Sequence, residues 1–320
     1  MNEFDLINKY FSKLTKKSKG PLNLNDDVFF DKKNKLVLSI DTYIEGTHFI
    51  DFKKPHLVIK KIVRSSISDL ICKGVKPKYY FISASGNNKS FTKKNLSKIS
   101  KSLNQEQKKY NLILGGGDTV YSNKLSFTIA SIGFSNKIIY RNKTKVNDDI
   151  YITGNLGDSF LGLLILKNKI QISRNLSKYF INHYYKPEIK YSLVDYINKI
   201  SNASIDLSDG LVADLNKLIN KQKNSYKLFL DLIPISKNLK SVINLKKLSK
   251  KNLITRGDDY QILFTTSTKN RSYIKKISSN KKIKITRIGK ILNKKSKSSI
   301  IDRNGSKIKI NNKGYLHRFD

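Results

Sequence analysis

An α/β (α+β) chain of two domains is the fold class the sequence predicts, and three observations carry it. Strand-like and helix-like runs alternate through both halves. Apolar periodicity recurs through both halves of the 320-residue chain, with a hydrophobic fraction of 38%, so real cores can form and disorder is rejected despite the abundance of Lys and Asn. A polar, non-periodic stretch at 136–149 separates the halves, and the length suits two ordinary domains. The first is set at 1–140 and the second at 146–320.

Residues 4–14 space their apolar groups as a helical stripe, and a polar Gly-Pro loop follows at 15–27. Residues 35–41 read as a strand ending in Asp41. Residues 56–73 form an amphipathic helix, with Pro55 before its start and Gly74 at its stop. A strand at 78–85, a helix at 91–109, a strand at 111–114 running into Gly115-Gly116-Gly117-Asp118, and a strand at 125–134 complete the first half. The second half restarts with a strand from Ile150 to Thr153. A Gly154-Asn155-Leu156-Gly157 turn and a helix from Ser159 follow. Strands at 203–207, 227–232 and 261–266, helices at 209–220 and 270–279, and a small β-rich tail from 283 finish the chain.

The formal net charge is +39, from 63 basic against 24 acidic residues. Nucleic-acid binding is one reading of that excess. The other, which we prefer, is a generic Lys-rich surface. Only eight of the basic residues are Arg, Lys is scattered without a basic tail, and base and phosphate readers favour the guanidinium fork. Such a field still draws in anionic substrates. The single cysteine, Cys72, lies in a helical apolar pattern and reads as a small core residue; it excludes an intrachain disulfide and a thiolate cluster. No apolar run is long enough to span a bilayer and the N-terminus lacks a signal core, so a soluble cytoplasmic protein is expected.

The scarce acids carry the chemistry. Asp27, Asp41, Asp69, Asp118, Asp206 and Asp209 stand at the ends of strand-like or the starts of helix-like runs, without a matching Arg. A buried carboxylate is costly unless it is paired or binds a metal, and converging carboxylates suit Mg²⁺ carrying phosphates. Asp26 and Asp27 are adjacent; on regular strand geometry only one can face a site, and Asp27 is chosen. Ser39 and Asp41 share a strand face. Asp69 interrupts the apolar face of its helix with no local partner. Asp209 is placed to cap the helix it precedes. The glycines at 115–117 let backbone N–H groups approach a phosphate, and those at 154 and 157 suit either close packing or a phosphate at a helix N-terminus. With four Glu and no Cys/His nucleophile arrangement, Mg²⁺-assisted phosphoryl transfer is the chemistry that fits.

These strings together resemble the thiamine-monophosphate kinase family, of the aminoimidazole-ribonucleotide-synthetase-like ATP-binding superfamily. The likeness runs in order through Asp26-Asp27, Asp41-Thr42 with Gly46-Thr47-His48-Phe49, and Ser68-Asp69-Leu70. It continues through Gly116-Gly117-Asp118-Thr119, Thr153-Gly154 with Gly157-Asp158-Ser159, Asp206-Leu207-Ser208-Asp209-Gly210, Gly257-Asp258-Asp259-Tyr260 and Gly314-Tyr315. The resemblance implies an N-terminal mixed-sheet domain that pairs with a second subunit into a homodimer, a C-terminal α/β domain, and ATP with several Mg²⁺ ions between them. It implies Mg²⁺ at Asp27, Ser39, Asp41, Asp69, Asp118, Asp206, Asp209 and the carbonyl of Ile40; ATP at Gly117, Asp118, Arg141 and Ser208; and thiamine monophosphate at His48, Asp258 and Tyr315. No side chain is assigned as nucleophile or base. Asn25 stands where the family has Gly, Ile40 where it has Thr, and Asp258 and Gln261 where it has Glu.

Two alternatives stay open on the residues alone. Another ATP-dependent enzyme of the same superfamily would share the fold, although the selenophosphate-synthetase type needs a Cys that residues 1–30 lack. A basic nucleic-acid-binding protein would show steeply salt-dependent affinity and would leave six placed carboxylates unexplained.

Overall fold

The protein is described from a computed structural model covering residues 1–310, 314–317 and 319. The elements of the first half are α1 (Glu3–Leu6), β1 (Phe29–Asp31), β2 (Leu36–Ile44), α2 (Pro55–Cys72), β3 (Pro77–Gly86), α3 (Lys93–Tyr110), β4 (Ile113–Tyr121) and β5 (Ser126–Phe134). Those that follow are β6 (Asp149–Thr153), α4 (Asp158–Leu166), α5 (Arg174–Tyr185), α6 (Val194–Ile200), β7 (Ala203–Asp206), α7 (Leu211–Ile219) and β8 (Ser225–Phe229). The chain ends with α8 (Lys237–Lys246), α9 (Lys250–Ile254), β9 (Ile262–Thr266), α10 (Arg271–Lys281), β10 (Ile285–Leu292) and β11 (Ser299–Ile301).

Two mixed sheets result, each drawing its strands from one half of the chain. Their orders are β1-β2-β5-β3-β4 and β11-β8-β10-β6-β9-β7. Strand alternation decides what the first sheet presents. In β2, Val37, Ser39 and Tyr43 turn inward and are buried, while Ile40 and Ile44 turn outward and are exposed. β6 and β9 are buried at every position, as strands covered on both faces should be.

The helix α2 lies at the centre. It buries Val58, Ile59, Ile62, Val63 and Ile67, and its core cluster runs from Tyr43 and Phe127 of the first half to Tyr184, Ile262 and Phe264 of the second. A second cluster, around Ile205, Leu215 and Leu263, belongs to the second sheet. Cys72 is buried in the first cluster, as its helical pattern predicts.

The elements expected from periodicity form, with four differences. The strand expected at 227–232 runs as β8 and stops at Phe229, with Leu230–Leu232 in a 3₁₀ turn. Residues 3–15 do not make one helix: α1 passes into a widened π turn (Ile7–Phe11) and a 3₁₀ turn (Ser12–Thr15). Their stripe joins none of the core clusters, which removes the packing that would hold a regular helix; Phe11 and Leu14 stay exposed. The strand expected at 111–114 continues through the glycines to Tyr121. The β-rich tail is realised as β10 and β11; Gly314–His317 and Phe319 carry no strand, and Arg318 lies outside the described residues. The polar stretch at 136–149 is anchored rather than loose: Ile138 and Ile139 are buried, Ile139 N–H donates to the Lys73 carbonyl (3.0 Å), and Asn142 N–H donates to the Leu218 carbonyl (2.8 Å). Among the described residues, no helix is long and apolar enough to cross a membrane.

Candidate functional site

Three segments far apart in sequence bring the acids together. Asp27 lies in the bend before β1, Asp69 on the last turn of α2, and Asp206 at the end of β7; one carboxylate oxygen from each lies within 4.8 Å of the others. Ligands of an octahedral Mg²⁺ stand about 3.0 Å apart when adjacent and about 4.2 Å apart when opposite, so these three hard oxygens would draw closer together to share one such ion. Asp41, on the inward face of β2, hydrogen-bonds Asp69. Burial pushes Asp41 up to about 7. Burial, then the charges of Asp41 and Asp206, push Asp69 well above the ordinary carboxylate range. Asp206 is raised by burial, against a 2.5 Å hydrogen bond donated by Ser68. These acids are held together at a cost, which a divalent cation would relieve.

The expectation that the acids have no matching Arg is corrected by Arg141, and lysines pair with them as well. Lys73 Nζ meets Asp26 Oδ1 at 2.7 Å and Asp27 Oδ2 at 2.6 Å, so both acids face one group. They do so because residues 26–28 form a bend, where strand alternation does not apply. The Arg141 guanidinium is ion-paired with Asp27, and the Arg141 N–H donates to Asp26 Oδ2 at 2.9 Å. Lys217 pairs with Asp209 and, at 3.2 Å, with Asp214. Asp209 therefore does not cap α7. Gly210 occupies the N-cap at φ 119°, and Asp214 reaches back to accept the Asp209 and Gly210 N–H groups at 3.0 Å each. A cleft of about 410 Å³ opens beside Asp26 and Arg141, lined also by Lys16, Lys19, Asn25, Lys143 and Lys221, a set that suits a polyanion.

His48, Asp258 and Tyr315 gather on the other side of the Ser208-Asp209 loop. The Asp258 N–H donates to the Ser208 carbonyl (2.9 Å) and the Tyr315 N–H to the Asp209 carbonyl (3.0 Å). His317 packs against both His48 and Tyr315, with ring centroids 5.5 and 4.9 Å apart. Burial, then the neighbouring His317, hold His48 below its ordinary value, and its Nδ1 accepts the Ile44 N–H. Asp258 sits at φ 71° and takes hydrogen bonds from Lys61 Nζ (2.7 Å) and the Tyr260 hydroxyl (3.1 Å). Lys61 is almost fully buried, 4.1 Å above the Tyr184 ring.

Other expected residues are placed differently. Ser39 is buried against the Ser66 carbonyl (3.4 Å), beside α2, whereas the Ile40 side chain points to the far face of the sheet, leaving its backbone as the possible ligand. Gly117 and Asp118 lie on β4, the edge strand, and every residue of β4 is exposed. The register Asp41–Ile129–Ile82–Gly117 runs straight across the sheet. Three strand steps place Gly117 roughly 14 Å from Asp41 within one chain. Asp118 therefore does not join the Asp27–Asp69–Asp206 group in the same chain. The glycines of β4 have a packing role: a Cβ on Gly117 would stand 1.7 Å from the Ile82 carbonyl oxygen, and one on Gly115 2.6 Å from the Phe81 ring. The Gly154–Gly157 turn likewise holds the protein's own carboxylate, Asp259, through the Gly157 N–H at 2.9 Å, which favours close packing over a phosphate there.

Sequence reasoning missed Lys61, Lys73, Lys217 and Asp214. The signals were lysines inside apolar helical runs, and an acid four residues past Gly210 in helical register.

Residues 25–135 match the family described as AIR synthase related protein, N-terminal domain. The thiamine-monophosphate kinase of Buchnera aphidicola subsp. Acyrthosiphon pisum is 36% identical over 98% of each chain. That of Haemophilus influenzae is 31% identical over 91% of this chain and 89% of its own. The solved structure of AaThiL complexed with AMPPCP and TMP is 26% identical, with a TM-score of 0.85, covering 99% of this chain and 97% of that one. A carboxylate cluster beside a cationic cleft, on a chain that matches these enzymes nearly end to end, has one consistent reading: the chain belongs to the thiamine-monophosphate kinase family.

Proposed function

We propose that this chain transfers the terminal phosphoryl group of ATP to thiamine monophosphate, giving thiamine diphosphate and ADP. The carrying observation is the convergence of Asp27, Asp69 and Asp206 beside a cleft rich in Lys and Arg. The solved relative holds AMPPCP and TMP, and by likeness this chain takes ATP and thiamine monophosphate.

Asp27, Asp69 and Asp206, with Asp41, Asp209, Ser39 and the Ile40 carbonyl, would hold Mg²⁺. Bound there, Mg²⁺ would neutralise the phosphates that the two polyanionic substrates bring together. Arg141 and Ser208 would bind the nucleotide at the edge of the cleft. His48, Asp258 and Tyr315 would orient thiamine monophosphate; His48, held neutral, does so by hydrogen bonding rather than charge. The attacking phosphate monoester has a second pKa of about 6 and is already largely dianionic at neutral pH. The protein's task is therefore positioning, and no side chain need act as nucleophile or base.

The same reading treats 1–140 and 146–320 as two domains, the first pairing with a second copy. Its support is an outward sheet face carrying Ile40, Ile44, Phe81 and Phe134, all exposed, next to the unpaired edge of β4. Pairing through that face would bring Gly117 and Asp118 of one copy toward the site of the other. A cytoplasmic location accords with consumption of ATP.

The test is ADP release from purified protein given ATP, Mg²⁺ and either thiamine monophosphate or thiamine. Turnover with the monophosphate alone, lost on chelation and in Asp209→Asn, is expected. Folded, ATP-binding protein that turns over neither acceptor defeats the proposal.

A further inference from the structure

Lys73 is unlike the other cations of the site. Its side chain has no exposed surface. It stands at the C-cap of α2, where the helix dipole favours a cation, and its backbone is fixed on both sides: its N–H bonds the Asp69 carbonyl and its carbonyl accepts from Ile139. An ammonium has three hydrogens to donate. Three oxygens from two segments receive them: Asp26 Oδ1 at 2.7 Å and Asp27 Oδ2 at 2.6 Å from the bend before β1, and the Ser204 carbonyl at 2.7 Å from β7. Lys217, by contrast, keeps 16% of its side chain exposed and has room to swing off Asp209.

We propose that Lys73 is a permanent monovalent counter-ion built into the carboxylate cluster, positioning Asp26 and Asp27 and lowering the cluster's affinity for divalent cations. The inference rests on the reading of Asp27, Asp69 and Asp206 as metal ligands. With its hydrogen bonds saturated inside the protein, the ammonium has no better place to go when a metal arrives. It holds Asp26 and one oxygen of Asp27, so an incoming ion must share Asp27 with it while Asp69 and Asp206 bind, and is repelled by the charge beside it. Lys73 is thus a positioning residue that sets the metal demand of the reaction.

The experiment is calorimetric titration of metal-stripped, full-length protein with Mn²⁺ in the absence of nucleotide, for wild type, Asp69→Asn, Lys73→Met and Lys73→Arg. Removing the adjacent positive charge is expected to tighten Mn²⁺ binding at least about tenfold in Lys73→Met. Lys73→Arg, which keeps the charge, should stay within about threefold of wild type. Unchanged or weaker binding by folded Lys73→Met overturns the inference while leaving the metal site intact. Wild-type protein that shows no Asp69-dependent binding overturns the metal site itself, and the inference with it. Should Lys73→Met fail to fold, acetylation of wild-type lysines read by mass spectrometry decides. Lys73 should stay unmodified with and without Mn²⁺ while Lys217 gains reactivity with it. A Lys73 that becomes reactive on adding Mn²⁺ is a displaceable placeholder, and the inference fails.

Discussion

Replacing Asp69 with Asn should stabilise the metal-free protein while abolishing its response to Mg²⁺. Oxygens of Asp27, Asp69 and Asp206 lie within 4.8 Å of one another. At that distance and an effective dielectric near 20, each pair of ionised carboxylates repels by about 3.5 kcal/mol. Alternatively the cluster keeps Asp69 neutral. Holding a carboxyl neutral at about pH 7.5, against an unfolded value near 3.9, costs about 5 kcal/mol at most. Both routes give a few kcal/mol, and losing the attraction of Lys73 and Lys217 for Asp69 offsets part of it. A net gain of about 1.5–3 kcal/mol corresponds to a melting temperature higher by roughly 2–5 °C for a chain of this length. The pH dependence has a definite sign. Folding raises the Asp69 value, so the penalty is absent below the unfolded value and grows as pH rises towards the folded one. The gap between the variant and wild type should therefore widen as pH rises above the unfolded carboxyl value of about 3.9. Wild type should gain about 2.7 kcal/mol from Mg²⁺ at a hundred times its dissociation constant, and the variant nothing. Scanning calorimetry of metal-stripped samples across this range measures all three. A variant that melts lower than wild type without metal, or that still responds to Mg²⁺, refutes the reasoning.

Three more outcomes are expected. Arg64 bonds Glu106 through two parallel contacts of 2.8 and 3.0 Å, both side chains buried, so Glu106→Gln should lose about 3–5 kcal/mol in denaturant melts; a loss below about 1 kcal/mol contradicts the buried-pair account. Phe81→Asp, on the outward face of β3, should yield monomers in light scattering and lose activity at dilute concentration; a stable, active dimer would place the interface elsewhere. Asp258→Asn should raise the KM for thiamine monophosphate about tenfold while leaving that for ATP unchanged, since an Asp258 hydrogen bond is worth about 1.4 kcal/mol; an equal effect on both substrates would move Asp258 away from the acceptor.

How much of this was legible before the structure depends on the range of the interaction. β2, α2, β3 and β5 were readable because alternation and helical spacing are local, and each buries the face its pattern marks. Asp27, Asp41, Asp69 and Asp206 were readable because an acid in an apolar run is anomalous by itself. Their partners were not. Lys73 lies four residues from Asp69, yet it bonds Asp26, Asp27 and Ser204, and only the packing of α2 against β7 and the N-terminal bend reveals this. In a chain with 63 basic residues, one buried lysine leaves no compositional trace. The role of the β4 glycines was hidden for a related reason. A glycine run is equally consistent with phosphate approach and with strand pairing against Phe81 and Ile82, and pairing is non-local.

The core around α2 has a consequence for synthesis. Its inner face is closed by Tyr43 and Phe127 on one side and by Tyr184, Ile262 and Phe264 on the other. During translation the first half leaves the ribosome well before Phe264 is added, so this helix must wait with one flank open to water. At about 5–20 residues per second, the delay from Phe127 to Phe264 is on the order of ten seconds. For that interval the nascent chain carries a bare apolar stripe and an unpaired strand edge, the two features that invite misassociation. Completion of β9, rather than of the first sheet, is the event that ends the exposure.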